Sequence, residues 1–294
     1  MGARGRGDAP VLTTKRLKLL ALPALMWLGA LFVLPLLMIA ALSFLKRGTY
    51  GQIVYQGTLD NYARIIDPLY GDIFLDTLAV SVLTTFISLV CGYPLAYHIS
   101  RLRRSAQQVW LLLVMIPFWI NFLVRSYAWV IILRSQGVVN TVLQSLGLID
   151  EPLPLLYNSG SVLLGMVYTL LPFMVLPIYV SLEQMDRCKL EAAYDLGATP
   201  WKAFWHVTLP MTKSGVVTGS ILVFVSSIGM FVVPDVMGGA KSALIGNVIQ
   251  NQFLSARDWP FGSALSIVLM LLSMLLIFLY YRAANAAGAK EGAA

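Results

Sequence analysis

Charge is scarce in this 294-residue sequence: Asp, Glu, Lys and Arg together make up 12% of it, about half the share of a soluble domain. Water is therefore not its main solvent. Histidine occurs only twice. His98 and His206 stand far apart, with no nucleophile or metal-ligand spacing around them, which leaves no motif for a metal centre or a catalytic triad. The two cysteines, Cys91 and Cys188, show no metal or redox spacing either, and packing is the role expected of them. A phosphate loop is also missing. Gly238-Gly239-Ala240-Lys241-Ser242 comes nearest, but the motif needs Gly directly before Lys and another five positions before that, where Ala240 and Asp235 stand. The sequence thus predicts a chain with no catalytic residue, no metal ligands and no cofactor of its own.

What it has is apolar length. Hydrophobic residues make up 58%, the mean hydropathy is +0.76, and a bilayer core about 30 Å thick takes roughly 20 apolar residues per helix. Six stretches qualify, at about 19–45, 77–97, 106–126, 159–182, 214–234 and 260–281. None alternates with period two, so barrel strands are excluded and helices with internally satisfied backbones are expected. The short apolar run Ser126 to Leu133 reads as a continuation of the third helix or an interfacial turn. The expectation is an all-α polytopic membrane protein: a basic arm at 1–18, a six-helix domain at 19–283 and a tail at 284–294.

With six spans both termini share a side, and that side carries 14 of the 21 Lys and Arg residues. The positive-inside rule makes it cytoplasmic. Topogenesis then accounts for the net charge of +7, and no nucleic acid is needed to explain it. The basic start followed by an apolar run resembles a signal peptide. However, Leu19–Leu45 is 27 residues long without an Ala-x-Ala exit, so it reads as a retained anchor. Pro23, Pro35, Pro94, Pro117, Pro172 and Pro177 fall inside the spans, where they permit kinks. In the last outer loop Leu244, Ile245, Val248, Ile249 and Phe253 recur at helical spacing, which predicts an amphipathic helix against the membrane or a vestibule wall.

The most informative stretch lies between the fourth and fifth spans, in the cytoplasmic segment 185–212. Leu190 to Leu196 is helix-prone, Gly197 permits a positive φ that ends the helix, and Thr199-Pro200 offers a cap with Pro at the first helical position. Glu191, Ala192, Ala193, Asp195, Gly197, Ala198, Leu209 and Pro210 follow the spacing Glu-Ala-Ala, three residues, Gly, nine residues, an aliphatic residue, one residue, Leu-Pro. This pattern resembles the EAA motif of ATP-binding-cassette importer permeases, with Val207 where the family usually has Ile. The resemblance implies a type I importer permease fold and a loop that docks on an ATPase.

Further segments narrow the likeness. Leu59-Asp60-Asn61-Tyr62, Pro117-Phe118-Trp119-Ile120-Asn121-Phe122, Leu171-Pro172-Phe173-Met174 and Arg257-Asp258-Trp259-Pro260-Phe261-Gly262 are similar to spermidine/putrescine permease subunits. That likeness implies a heteromeric importer in the bacterial inner membrane. Its other parts are a second related permease, two copies of a cytoplasmic ATPase that binds the ATP and Mg, and a periplasmic polyamine-binding protein. For a polycation, the route needs carboxylates, aromatic faces and amide oxygens. Trp119, Asn121, Tyr127, Tyr168 and Asp235 are the candidates, with Asp235 closing the fifth span or else pairing with Arg125 or Lys241. Arg125 itself suits a structural pair or a docking surface. Eight acids against seven bases in the outward half leave a cation route permitted but not demanded by charge. Importers of iron(III), thiamine or an organic anion remain open alternatives, as does an ion-coupled carrier.

Overall fold

The computed structural model describes residues 14–239 and 243–291. Most of the N-terminal arm, the last three residues of the tail, and Ala240 to Ser242 of the phosphate-loop-like run lie outside them. The elements in chain order are α1 (Thr14–Ser43), a hairpin of β1 (Leu45–Arg47) and β2 (Ile53–Gly57), and α2 (Asp60–Ile65). After these come α3 (Pro68–Arg101), α4 (Arg104–Trp119), α5 (Phe122–Leu133), α6 (Val138–Ser145) and α7 (Ser159–Glu183). The chain continues through α8 (Arg187–Asp195), α9 (Pro200–Ala203), a π turn (Phe204–Thr208), α10 (Leu209–Met211) and α11 (Lys213–Ile228). A second π turn (Pro234–Gly238), α12 (Ile245–Leu254) and α13 (Trp259–Glu291) complete it.

Among the described residues four helices, in α1, α3, α7 and α13, are long and apolar enough to cross a membrane. Two bent pairs bring the number to six if each counts as one span. The bent pairs fall where the sequence places the third and fifth spans, at about 106–126 and 214–234. α4 stops at Trp119, and the chain from Phe122 runs at 94° to it. Asn121 accepts the N–H of Leu123 at 2.9 Å, which starts a new helix in another direction. Apolarity continues across the break, so composition alone does not reveal it. α11 ends at Ile228, six residues short, with Gly229 as its cap. The prolines within the spans, Pro23, Pro35, Pro94, Pro117, Pro172 and Pro177, all lie inside helices that continue past them.

The core is the packing of α3, α7 and α11. On α3, Thr77, Ser81, Thr84, Ser88 and Gly92 line one buried face, a small-residue seam of the kind that lets membrane helices approach closely. Gly92 and Gly219 both abut Met174 of α7, and at Gly215 a Cβ atom would stand 2.6 Å from the carbonyl of Pro177. The cysteines are not packed: Cys91 and Cys188 are both exposed.

At the end of the bundle where α3 begins, a polar clamp joins distant segments. Asp258 is buried and meets Arg64 at 3.0 Å and Arg47 at 3.9 Å. The Arg64 guanidinium also lies 3.9 Å over the Phe261 ring. Asn61 donates to the carbonyls of Ser43 and Leu45, tying α2 to the end of α1. The predicted amphipathic segment is α12, but Ile245 is buried against Phe261 and Leu265 of α13, with Val248 and Ile249 packed alongside. This apolar face covers protein.

Candidate functional site

The helix–turn–helix at 185–212 is built by local sequence. Asp186 caps α8 by accepting the N–H of Cys188 at 3.0 Å. At the other end Gly197 adopts φ +84°, its N–H donates to Tyr194 and that of Ala198 to Ala193. This is a Schellman closure, which needs a left-handed residue at that position. The Thr199 hydroxyl then accepts the N–H of Lys202, with Pro200 at the first helical position. Next the helix widens into a π turn, closed by the Leu209 N–H donating to Phe204. Pro210 supplies the cause: it has no N–H for the carbonyl of His206, and its ring would collide with that carbonyl in a regular α-helix.

Leu190, Ala203 and Thr208 are buried and fasten this unit. Phe204 meets Tyr93 and Tyr97 of α3 edge to face at 5.5 and 6.1 Å, and the Tyr93 hydroxyl is 2.9 Å from that of Thr212. The loop is thus bolted to the end of α3. Glu191, Ala192, Asp195 and Gly197 are exposed along with Pro210, while Ala193, Ala198 and Leu209 are half-buried. Leu196 at the turn is 89% exposed, an apolar tip presented outward. Between α8 and the ends of α3 and α7 lies a cleft of about 280 Å³, lined by Tyr97, Arg101, Leu182, Leu190, Glu191 and Tyr194. Arg101 donates to the Tyr97 hydroxyl at 2.8 Å, and Glu191 forms no ion pair among the described residues. Beside α8, the Asp186 carboxylate holds the Cys188 thiol above the usual thiol range, with Glu191 adding to the effect.

The residues expected along a route fall around the α4–α5 break. Trp119 and Tyr127 are exposed on either side of it, and Asn121 is its cap. Tyr168 of α7 stacks edge to face with Trp129 at 5.3 Å and has the Arg125 guanidinium 6.0 Å from its ring. Asp235 is exposed on the second π turn, which packs against α5 and α7. It makes no ion pair with Arg125 among the described residues, and Lys241 lies outside them. Arg125 is 8% exposed and donates to the Pro117 carbonyl at 2.7 Å, so it braces the break from within. The sequence offered one signal for this role, a lone basic residue in an apolar run a few residues after the Pro117-containing helix.

The profile of the family described as "Binding-protein-dependent transport system inner membrane component" matches residues 84–287. The spermidine/putrescine transport system permease protein PotB of Salmonella typhimurium (strain LT2) is 44% identical over 259 residues, covering 88% of this chain and 90% of the relative. The protein of the same name from Escherichia coli (strain K12) is 43% identical, with 88% and 94% covered. In three dimensions the chain is similar to a subunit of a bacterial alginate ABC transporter, solved in complex with an alginate pentasaccharide-bound periplasmic protein. The TM-score is 0.72 at 17% identity, with 92% of this chain and 94% of that one covered, a likeness of fold. With the profile spanning most of the chain and these relatives aligned along nearly all of it, the chain belongs to the inner-membrane components of binding-protein-dependent transport systems.

Proposed function

We propose that this chain is the permease subunit of an ATP-driven importer and forms half of a transmembrane pathway for spermidine and putrescine. One observation carries the reading: similarity along 88% of the chain to permeases named for that cargo. In this reading a second related permease completes the pathway. Two copies of a cytoplasmic ATPase hold the ATP and Mg, a periplasmic protein delivers the polyamine, and this chain does no bond chemistry. Labelled spermidine and putrescine supplied to vesicles containing the assembled importer test it. ATP-dependent accumulation of either supports the reading, whereas uptake of iron(III), thiamine or an organic anion with polyamines excluded sinks it.

The rigid unit at 185–212 supports the coupling half of the proposal. A partner can shift a two-state equilibrium only through different affinity for the two states. A loop bolted to α3 through Phe204 and Thr212 transmits such a difference, because moving the turn moves the core helix. On the route, Tyr168 already faces the Arg125 cation, so a polyamine ammonium is better served by exposed Asp235 and the faces of Trp119 and Tyr127. Accordingly, Asp235→Asn is expected to lower polyamine uptake at least several-fold while nucleotide hydrolysis by the assembled importer persists. Unchanged uptake removes Asp235 from the route.

A further inference from the structure

The segment Pro200–Met211 has a face that the coupling reading leaves unused. It runs at 66° to α11, which begins two residues after it. At about 1.5 Å per residue, Trp201 and Trp205 stand only about 7 and 5 Å from the start of α11, measured along that helix's axis. The layer between the hydrocarbon core and bulk water is about that thick. Both indoles are exposed, by 69% and 48%, and they contact each other at 5.7 Å while flanking Phe204, which points to α3. Exposed tryptophans one helical turn apart, on one arm of a bent pair whose other arm is the apolar α11, match the amphipathic demands of a headgroup layer.

Charge selects among lipids. From Ala198 to Thr212 the sequence contains no acid, and Lys202, exposed between the tryptophans, is its one Lys or Arg. His206 follows one turn on, its Nδ1–H donating to the Lys202 carbonyl at 3.0 Å. We propose that Pro200–Thr208 is an interfacial binding segment for anionic phospholipid, with Trp201 and Trp205 seated at headgroup level and the Lys202 ammonium facing the lipid phosphate. Because Phe204 lies between those indoles and packs on Tyr93 and Tyr97, the leaflet surface then sets the height of the coupling turn relative to α3. The proposal does not depend on the cargo, so failure of polyamine uptake leaves it standing.

The test uses the full chain in vesicles of phosphatidylcholine and phosphatidylglycerol in equal parts, with a nitroxide near the glycerol backbone carried by one lipid or the other. Quenching of tryptophan emission is compared between the parent chain and the Trp201→Leu/Trp205→Leu variant, whose difference isolates these two indoles from the other five tryptophans. The expected result is stronger quenching by labelled phosphatidylglycerol than by labelled phosphatidylcholine. Lys202→Gln should lower that preference about five-fold, the effect of one basic residue at a membrane surface. Equal quenching by both lipids, or no difference between parent and variant, overturns the proposal. So does quenching that disappears once the ATPase assembles with the chain, which gives this face to a protein partner. Circular dichroism of each variant ensures that a folded chain is being compared.

Discussion

A left-handed backbone costs a residue with a Cβ roughly 1–2 kcal/mol, and Gly197 holds φ +84° where the turn after α8 closes. A Cβ added there would have nothing within 4 Å, so the cost of substitution is conformational rather than steric. Gly197→Val should therefore leave the protein in the membrane but fray the end of α8, uncoupling ATP hydrolysis from uptake in the assembled importer. Gly197→Asn, which tolerates this conformation better, should retain most of the coupling, and equal transport by all three chains would discard the idea. Nearby, Cys188 reports on charge. Its thiol pKa is raised by Asp186 first and Glu191 second, so at neutral pH less of it is the reactive thiolate than in an ordinary exposed cysteine. Alkylation of Cys188 should be slow and rise with pH later than that of a free thiol. Asp186→Asn should shift the rate profile to lower pH while preserving the cap, since Asn caps as well as Asp. Cys91→Ser in both chains leaves Cys188 as the single thiol measured.

At the scale of elements, the clamp at Asp258 and the close approach at Gly215 make separate predictions. Asp258 ties α2 and the hairpin to the start of α13 and accepts the Phe261 N–H as well. The two arginines are nearly half exposed, which reduces the value of the pairs. Asp258→Ala should therefore cost about 1–2 kcal/mol, read as faster proteolysis within the hairpin. Gly215→Ala has no such cushion: its Cβ meets Ser181 Oγ at 2.5 Å and the Pro177 carbonyl at 2.6 Å. The α7–α11 pair must part, and the thermal midpoint in detergent should fall, while Gly29→Ala, with nothing within 4 Å, should not move it. The sequence made some of this legible and hid the rest for physical reasons. Gly197, Thr199 and Pro200 act on their own neighbours, so the helix–turn–helix could be read from order alone. Arg64 and Asp258 are 194 positions apart, and no local pattern joins them. The break after Trp119 hides because Ile120 and Phe122 continue the apolar run, and Asn121, the one polar residue there, is as consistent with a route as with a cap.

For the whole molecule, the packing orders the direction of each crossing. α3 and α7 both end at the cleft beside α8, and α11 starts there, through the contact of Thr212 with Tyr93. α13 begins at the opposite end, where Phe261 meets Tyr70 at the start of α3, and α1 finishes at that same end through Ser43 and Tyr62. If α3 leaves the chain on the coupling side and α7 starts on the other, the segment between Arg101 and Ser159 must cross. α4, about 24 Å long, makes most of that crossing before α5 turns aside. Counting each bent pair as one span gives six, and we propose that the side rich in Lys and Arg is the cytoplasmic one. Fusions of a fluorescent protein that matures only in the cytoplasm, and of a phosphatase active only in the periplasm, test each step. The phosphatase should be active at Gln52 and Asp150, and the fluorescent protein should mature after Arg103 and at the C-terminus. A fluorescent fusion at Asp150 would mean that α4 and α5 dip in and return, and the shared ends of α3 and α7 would then need another explanation.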